Sequence, residues 1–158
     1  MGMEQLQVRK GEPADAGMVA TLLEQLGYAA PDDDIADRLR WFSRSGADHV
    51  LVATSGTHAV GLVAMSVVPR FAEGGRFARI TALLVPSGPD QPWIRRALIG
   101  EVESVARRHG CTGVEVVEEF QPGDDDSHHQ FDELGYDRAD VHEIRSQKPL
   151  DPPDPIRI

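Results

Sequence analysis

The sequence predicts an α/β (α+β) domain in which about four helices flank a central mixed, mostly antiparallel sheet of six to seven strands. Three observations predict it. Two segments of helical periodicity come after a short alternating strand at the start. A strand-turn-strand pair then leads into a stretch that is continuously apolar over Ala82-Leu83-Leu84-Val85, as a central strand covered on both faces would be. A long amphipathic segment after it runs into a further strand.

Gln5 to Arg9 alternate and read as the first strand. Pro13 suits the first turn of a helix, where its missing amide costs nothing. Met18, Val19, Leu22, Leu23 and Leu26 then recur at helical spacing up to Gly27, a stop signal. Asp32, Asp33 and Asp34 open a second helix, with Asp32 as the expected cap and its neighbours facing the positive end of the helix dipole. Ile35, Leu39 and Phe42 form its apolar stripe. Val50–Ala53 and Ala59–Val68 flank the turn Ser55-Gly56-Thr57 as a hairpin. Phe77–Val85 is the fourth strand. Ile94, Ala97, Leu98, Val102, Val105 and Ala106 give the clearest helix, with Arg107, Arg108 and His109 at its negative end and Gly110 closing it. Val114–Val117 is the fifth strand. Ser127-His128-His129-Gln130 matches a capping box before a short helix that Gly135 ends, and Tyr136–Arg145 reads as a final strand or strand pair. Residues 1–148 are expected to form one domain, and 149–158, with four prolines, a loose tail.

Composition narrows the function. The chain has 158 residues, enough for one hydrophobic core. Its net charge of −10 repels nucleic acid and anionic membranes, and could steer a cationic amine inward. No stretch has the length of a membrane span and the first ten residues carry no signal-peptide core, so a soluble cytoplasmic protein is expected. One cysteine, Cys111, leaves neither an intrachain disulfide nor a Cys pair for zinc. Asp124–Asp126 beside His128 and His129 have poor metal-ligand spacing, because adjacent helical residues diverge by about 100°. No metal is expected.

Several local strings together resemble the GNAT superfamily of acetyl-coenzyme A-dependent N-acetyltransferases. Val8-Arg9 with Glu12-Pro13-Ala14-Asp15 resembles its first strand and helix start, and Ala36-Asp37-Arg38-Leu39 its second helix. Ala78–Val85 resembles the fourth strand, which splays to admit the cofactor, and Arg96-Ala97-Leu98-Ile99 the helix after the pyrophosphate loop. His128–Tyr136, ending Leu134-Gly135-Tyr136, resembles the closing motif. The resemblance spans about residues 6 to 146. It implies acetyl-coenzyme A as cofactor and a small-molecule or peptide amine as acceptor, and is compatible with a homodimer.

Two departures stand out. The family carries Arg/Gln-x-x-Gly-x-Gly/Ala between the fourth strand and the long helix, where glycines let backbone amides approach a pyrophosphate. Here the matching stretch is Asp90-Gln91-Pro92-Trp93-Ile94-Arg95. A carboxylate about 4 Å from a phosphate charge costs roughly 4 kcal/mol at an effective dielectric near 20, and Pro92 removes an amide. In the closing motif the usual tyrosine, which protonates the departing thiolate, is matched by Phe131, which has no proton to give. The resemblance then implies Leu83, Leu84 and Val85 for backbone pairing with the pantetheine arm. Trp93, Ile94, Arg95 and Arg96 lie at the phosphates, with the two arginines in the binding role. Glu118 or Glu119, at the end of the fifth strand, would serve as base; alternation lets only one point into the cleft. Two other readings share this sequence: a catalytically inactive GNAT-fold binding or regulatory protein with impaired coenzyme A binding, in which Trp93 fills the old pyrophosphate groove, and a GNAT-fold enzyme repurposed for another substrate.

Overall fold

The computed structural model describes residues 5–116, 130–137 and 148–150. The chain divides into two compact units, residues 1–124 and 125–158. In the first, β1 (Leu6–Lys10) leads to a 3-10 turn (Pro13–Asp15), α1 (Ala16–Gln25), α2 (Asp32–Arg44), β2 (Asp48–Ser55), β3 (His58–Pro69), β4 (Arg76–Leu84), α3 (Gln91–Arg108) and β5 (Val114–Val116). The strands form one sheet in the order β1-β2-β3-β4-β5, antiparallel throughout except for the parallel pair β4–β5. The mixed, mostly antiparallel sheet flanked by helices is the predicted class, with five strands among the described residues against the six to seven expected. Of the proposed last strand, Tyr136 and Asp137 are not in a strand, and residues 138–147 lie outside the described ones. In the second unit residues 130–133 are helical and Gly135 takes a positive φ of 87°, as its stop role requires.

Sequence chemistry accounts for the ends of the first-unit elements. Glu12 and Asp15 form a reciprocal capping box around Pro13, and Asp15 also takes two 2.7 Å bonds from the Arg9 guanidinium. That fork holds the carboxyl of Asp15 below its usual range and ties the turn to β1. Gly27 and Gly110 adopt positive φ just past their helices. Asp32 is not the cap of α2: Pro31 occupies that position, and Asp32 is the first helical residue, where with Asp33 and Asp34 it still answers the helix dipole.

Helices cover the sheet from both sides. Leu22, Leu23, Ile35 and Leu39 bury against Val50, Val52, Leu62 and Ala64. Alternation turns Gly61 to the other face, under α3. A Cβ on Gly61 would lie 2.9 Å from Ile94 Cγ2 and 3.0 Å from Leu98 Cδ1, so glycine is what lets the start of α3 sit this close to β3. Both partners are almost fully buried. No helix of the described residues is long and apolar enough to cross a membrane.

At the other end of α3, the rings of His109 and His49 meet at 4.8 Å between centroids. Burial, then the neighbouring His109 and Lys10, push His49 below the ordinary histidine value.

Gly61→Val should cost about 1–3 kcal/mol in denaturant unfolding, because the branched methyl of Ile94 sits near its own backbone and yields little. For His49, a folded pKa below the unfolded value of about 6.5 means stability that is present above that value and lost as pH falls through the folded one. The fall in unfolding free energy between about pH 8 and about pH 5.5 should therefore shrink in His49→Gln.

Candidate active site

The end of β4 carries an irregularity that apolar patterning does not reveal. Met65 pairs with Ile80 and Ala64 with Ala82, so Thr81 is an extra residue on β4. Such a bulge bends the strand and re-aims the residues beyond it. Thr81 ties itself down through its hydroxyl, which donates to the Ala64 carbonyl at 3.3 Å. The described β4–β5 pairs run from Ala78 to Ile80, β5 being described only as far as Val116, and Leu83 and Leu84 are half-buried.

Between β4 and α3 the chain turns through Val85–Asp90. The Gln91 side-chain amide donates to the Val85 carbonyl at 3.0 Å, bridging the two ends of the turn. The amide of Gln91 bonds to Gly88 and that of Ile94 to Asp90, while Pro92 has none. Asp90 is the N-cap of α3 but makes no side-chain cap bond. Beside this turn lies an open groove of about 620 Å3, bounded by Met18, Thr21 and Gln25 of α1, by His58 at the start of β3, and by the turn itself.

The residues singled out in the sequence take different places. Val85 is buried, its carbonyl held by Gln91. Trp93, Ile94, Arg95 and Arg96 already belong to α3 rather than to a loop. Trp93 is half exposed and does not line the groove; Ile94 is buried in the core and lines it from below. Arg95 is half-buried and Arg96 exposed, and as helix neighbours they point about 100° apart. Phe131 is buried and meets Tyr136 edge-on at 5.6 Å. Glu118 and Glu119 lie outside the described residues, as do Asp124–Asp126, His128 and His129. Among the described residues no group of three metal-ligating side chains assembles. Arg70, Arg76 and Arg79 have structural partners: Arg70 lies over Phe77 and pairs with Glu73, Arg76 donates to the His109 carbonyl at the end of α3, and Arg79 pairs with Glu115.

Sequence reasoning missed Thr81, Gln91 and the groove residues of α1. A threonine inside an apolar strand is the only hint of the bulge, and nothing local joins α1 to the turn some 70 residues on.

Coordinates with this shape recur among solved structures. A transcriptional regulator from Bacillus halodurans superposes with a TM-score of 0.75 at 16% identity, over 91% of this chain and 100% of that one. A GNAT family acetyltransferase from Staphylococcus aureus gives 0.71 at 16%, over 90% and 98%. An aminoglycoside N-acetyltransferase, AAC(6')-Iy, in complex with coenzyme A gives 0.75 at 15%, over 94% and 97%. The chain has the GNAT fold. No family model matches the sequence, and no curated protein matches it.

The backbone of Leu83 and Leu84 follows the bulge at Thr81, on the β4 side of the turn. Two of the first four amides of α3 are engaged and a third is missing, so the start of the helix offers few backbone donors to an anion, and the nearest arginines in sequence are Arg95 and Arg96.

Gln91→Ala should loosen this turn at a stability cost of about 1 kcal/mol, the loss of one hydrogen bond. Amide exchange at residues 86–94 should quicken while exchange in the centre of β3 stays unchanged; uniform quickening would show that Gln91 serves global stability instead.

Proposed function

We propose that the chain is a GNAT-type N-acyltransferase that moves acetyl from acetyl-coenzyme A to an amine, with the donor anchored by arginines instead of a glycine-rich turn. The observation that carries this reading is the bulge at Thr81, which bends β4 just ahead of Leu83 and Leu84. The fold supports it too, since acetyltransferases share it across nearly the whole chain. Acetyl-coenzyme A, when bound, supplies a thioester carbonyl for an amine to attack.

The chain's own groups divide the remaining work. Arg95 and Arg96 oppose the phosphate charge. One of Glu118 and Glu119 takes the proton that an ammonium must lose before it is a nucleophile. Phe131 donates nothing, so the proton at that end comes from water, and the rate forfeits general-acid help worth about 100-fold or more. The acceptor is a small-molecule or peptide amine, in keeping with the net charge of −10.

A second reading, a GNAT-fold binding or regulatory protein that no longer acetylates, is favoured by the turn: Asp90 and Pro92 stand where a diphosphate needs amides and positive charge. Acetyl-coenzyme A separates the two. At about 100 times its dissociation constant it should add about 2.7 kcal/mol of stability, and Arg95→Ala with Arg96→Ala should weaken binding at least about tenfold. An unmoved melting midpoint with millimolar acetyl-coenzyme A overturns the transferase reading in favour of the second. Asp90→Arg with Trp93→Gly should tighten coenzyme A in either case.

A further inference from the structure

The far end of α3 brings two histidines together that no motif in the sequence pairs. His49 pairs with Met65 in the sheet, and His109 is the C-cap of α3. Their rings stand 4.8 Å apart between centroids and are tilted by 58°. The His49 ring donates a hydrogen bond to the Gly46 carbonyl. Its Nε2 is buried and has no hydrogen-bond partner among the described residues, so the donor is Nδ1. That bond fixes the tautomer: the proton sits on Nδ1 and the lone pair on Nε2 is left unused. A metal-binding histidine is prepared in the same way, by a backbone carbonyl on its other nitrogen. Burial lowers the proton affinity of His49, so a metal has no proton to displace there at neutral pH.

We propose that His49 and His109 together bind a first-row divalent cation of the Zn2+ class, which clamps the end of α3 to β2. The spacing suits one ion. A metal about 2.0–2.1 Å from a ring nitrogen stands roughly 3.2 Å from that ring's centre, so two imidazoles about 90–110° apart around it have centres roughly 4.5–5.2 Å apart. No third ligating side chain joins the pair among the described residues, so water fills the other positions. Imidazole selects Zn2+, Ni2+ or Cu2+ over Mg2+ and Ca2+, which require oxygen ligands. The surrounding charges are mixed. Lys10 opposes a cation at His49 and Asp48 favours one, while Arg76 spends a donor on the His109 carbonyl. The site does not rest on the transferase reading, because α3, about 27 Å long, separates it from the β4–α3 turn.

Calorimetric titration of the full, untagged chain with Zn2+ at about pH 7.5 tests it, with Mg2+ as the control. His49→Gln and His109→Gln should each weaken the tightest Zn2+ site at least about tenfold, and the double variant should lose little more, since both serve one ion. His128→Gln with His129→Gln, and separately Cys111→Ser, should leave that affinity unchanged. Imidazole nitrogen spectra give a readout on the unmutated chain that does not depend on how the variants fold: one equivalent of Zn2+ should shift the ring nitrogens of His49 and His109 and leave those of His58 in place. Absence of Zn2+ binding at millimolar concentration, affinity that survives loss of either His49 or His109, affinity lost with His128 and His129 or with Cys111, or ring nitrogens of the pair that do not move each overturns the proposal.

Discussion

The seating of α3 on β3 is the constraint on which the rest of the first unit depends. Because Gly61 has no Cβ, Ile94 and Leu98 settle directly onto the strand backbone. This fixes where α3 begins, and with it how far the chain can travel from the end of β4. Six residues, Val85 to Asp90, must cover that distance, and the Gln91 side chain closes the span by reaching back to Val85. The turn is therefore short because the helix is close. A chain with a side chain at 61 would hold α3 further out and leave more room at the same place.

Electrostatics then decides what the turn can receive. A glycine-rich turn would present several amides to a phosphate; here Pro92 lacks one, and Gln91 and Ile94 spend theirs on Gly88 and Asp90. Asp90 adds a charge of the wrong sign for a diphosphate, at a cost of roughly 4 kcal/mol for an approach of about 4 Å at an effective dielectric near 20. Arg95 and Arg96 can offset that, though their divergence around the helix lets only one face a given phosphate squarely.

The fold was largely legible in the sequence because its signals are local and repeated. Pro13, Gly27, Gly110 and the stripe Ile94–Leu98–Val102–Val105 each mark an element by themselves, and the structure places boundaries within a few residues of them. The error at Asp32 was of one position: an aspartate before an apolar stripe reads as a cap, yet Pro31 can take that place because its fixed φ suits the entry and Asp32 serves the dipole from inside. The site was legible only as a set of replaced residues. The bulge at Thr81 arises from register between β3 and β4, and the groove joins α1 to a turn far along the chain. Neither is a property of any short window.

The replaced residues themselves share a pattern that the structure makes plain. Asp90, Pro92 and Trp93 are exposed and Arg95 is half-buried, whereas Ile94 and Leu98, interleaved with them, are buried. Helical periodicity thus separates two jobs carried by one stretch: holding α3 to the sheet, and meeting a ligand at its first turn. Phe131 shows the same division in a single side chain. It keeps the ring that a core needs, packed edge-on against Tyr136, and lacks only the hydroxyl that a thiolate would use. Packing and chemistry are carried by different atoms, so the fold can stay complete while the ligand-facing half of its sequence changes. Fold likeness alone therefore cannot carry the activity of this chain, and the charges around Asp90, Arg95 and Arg96 must.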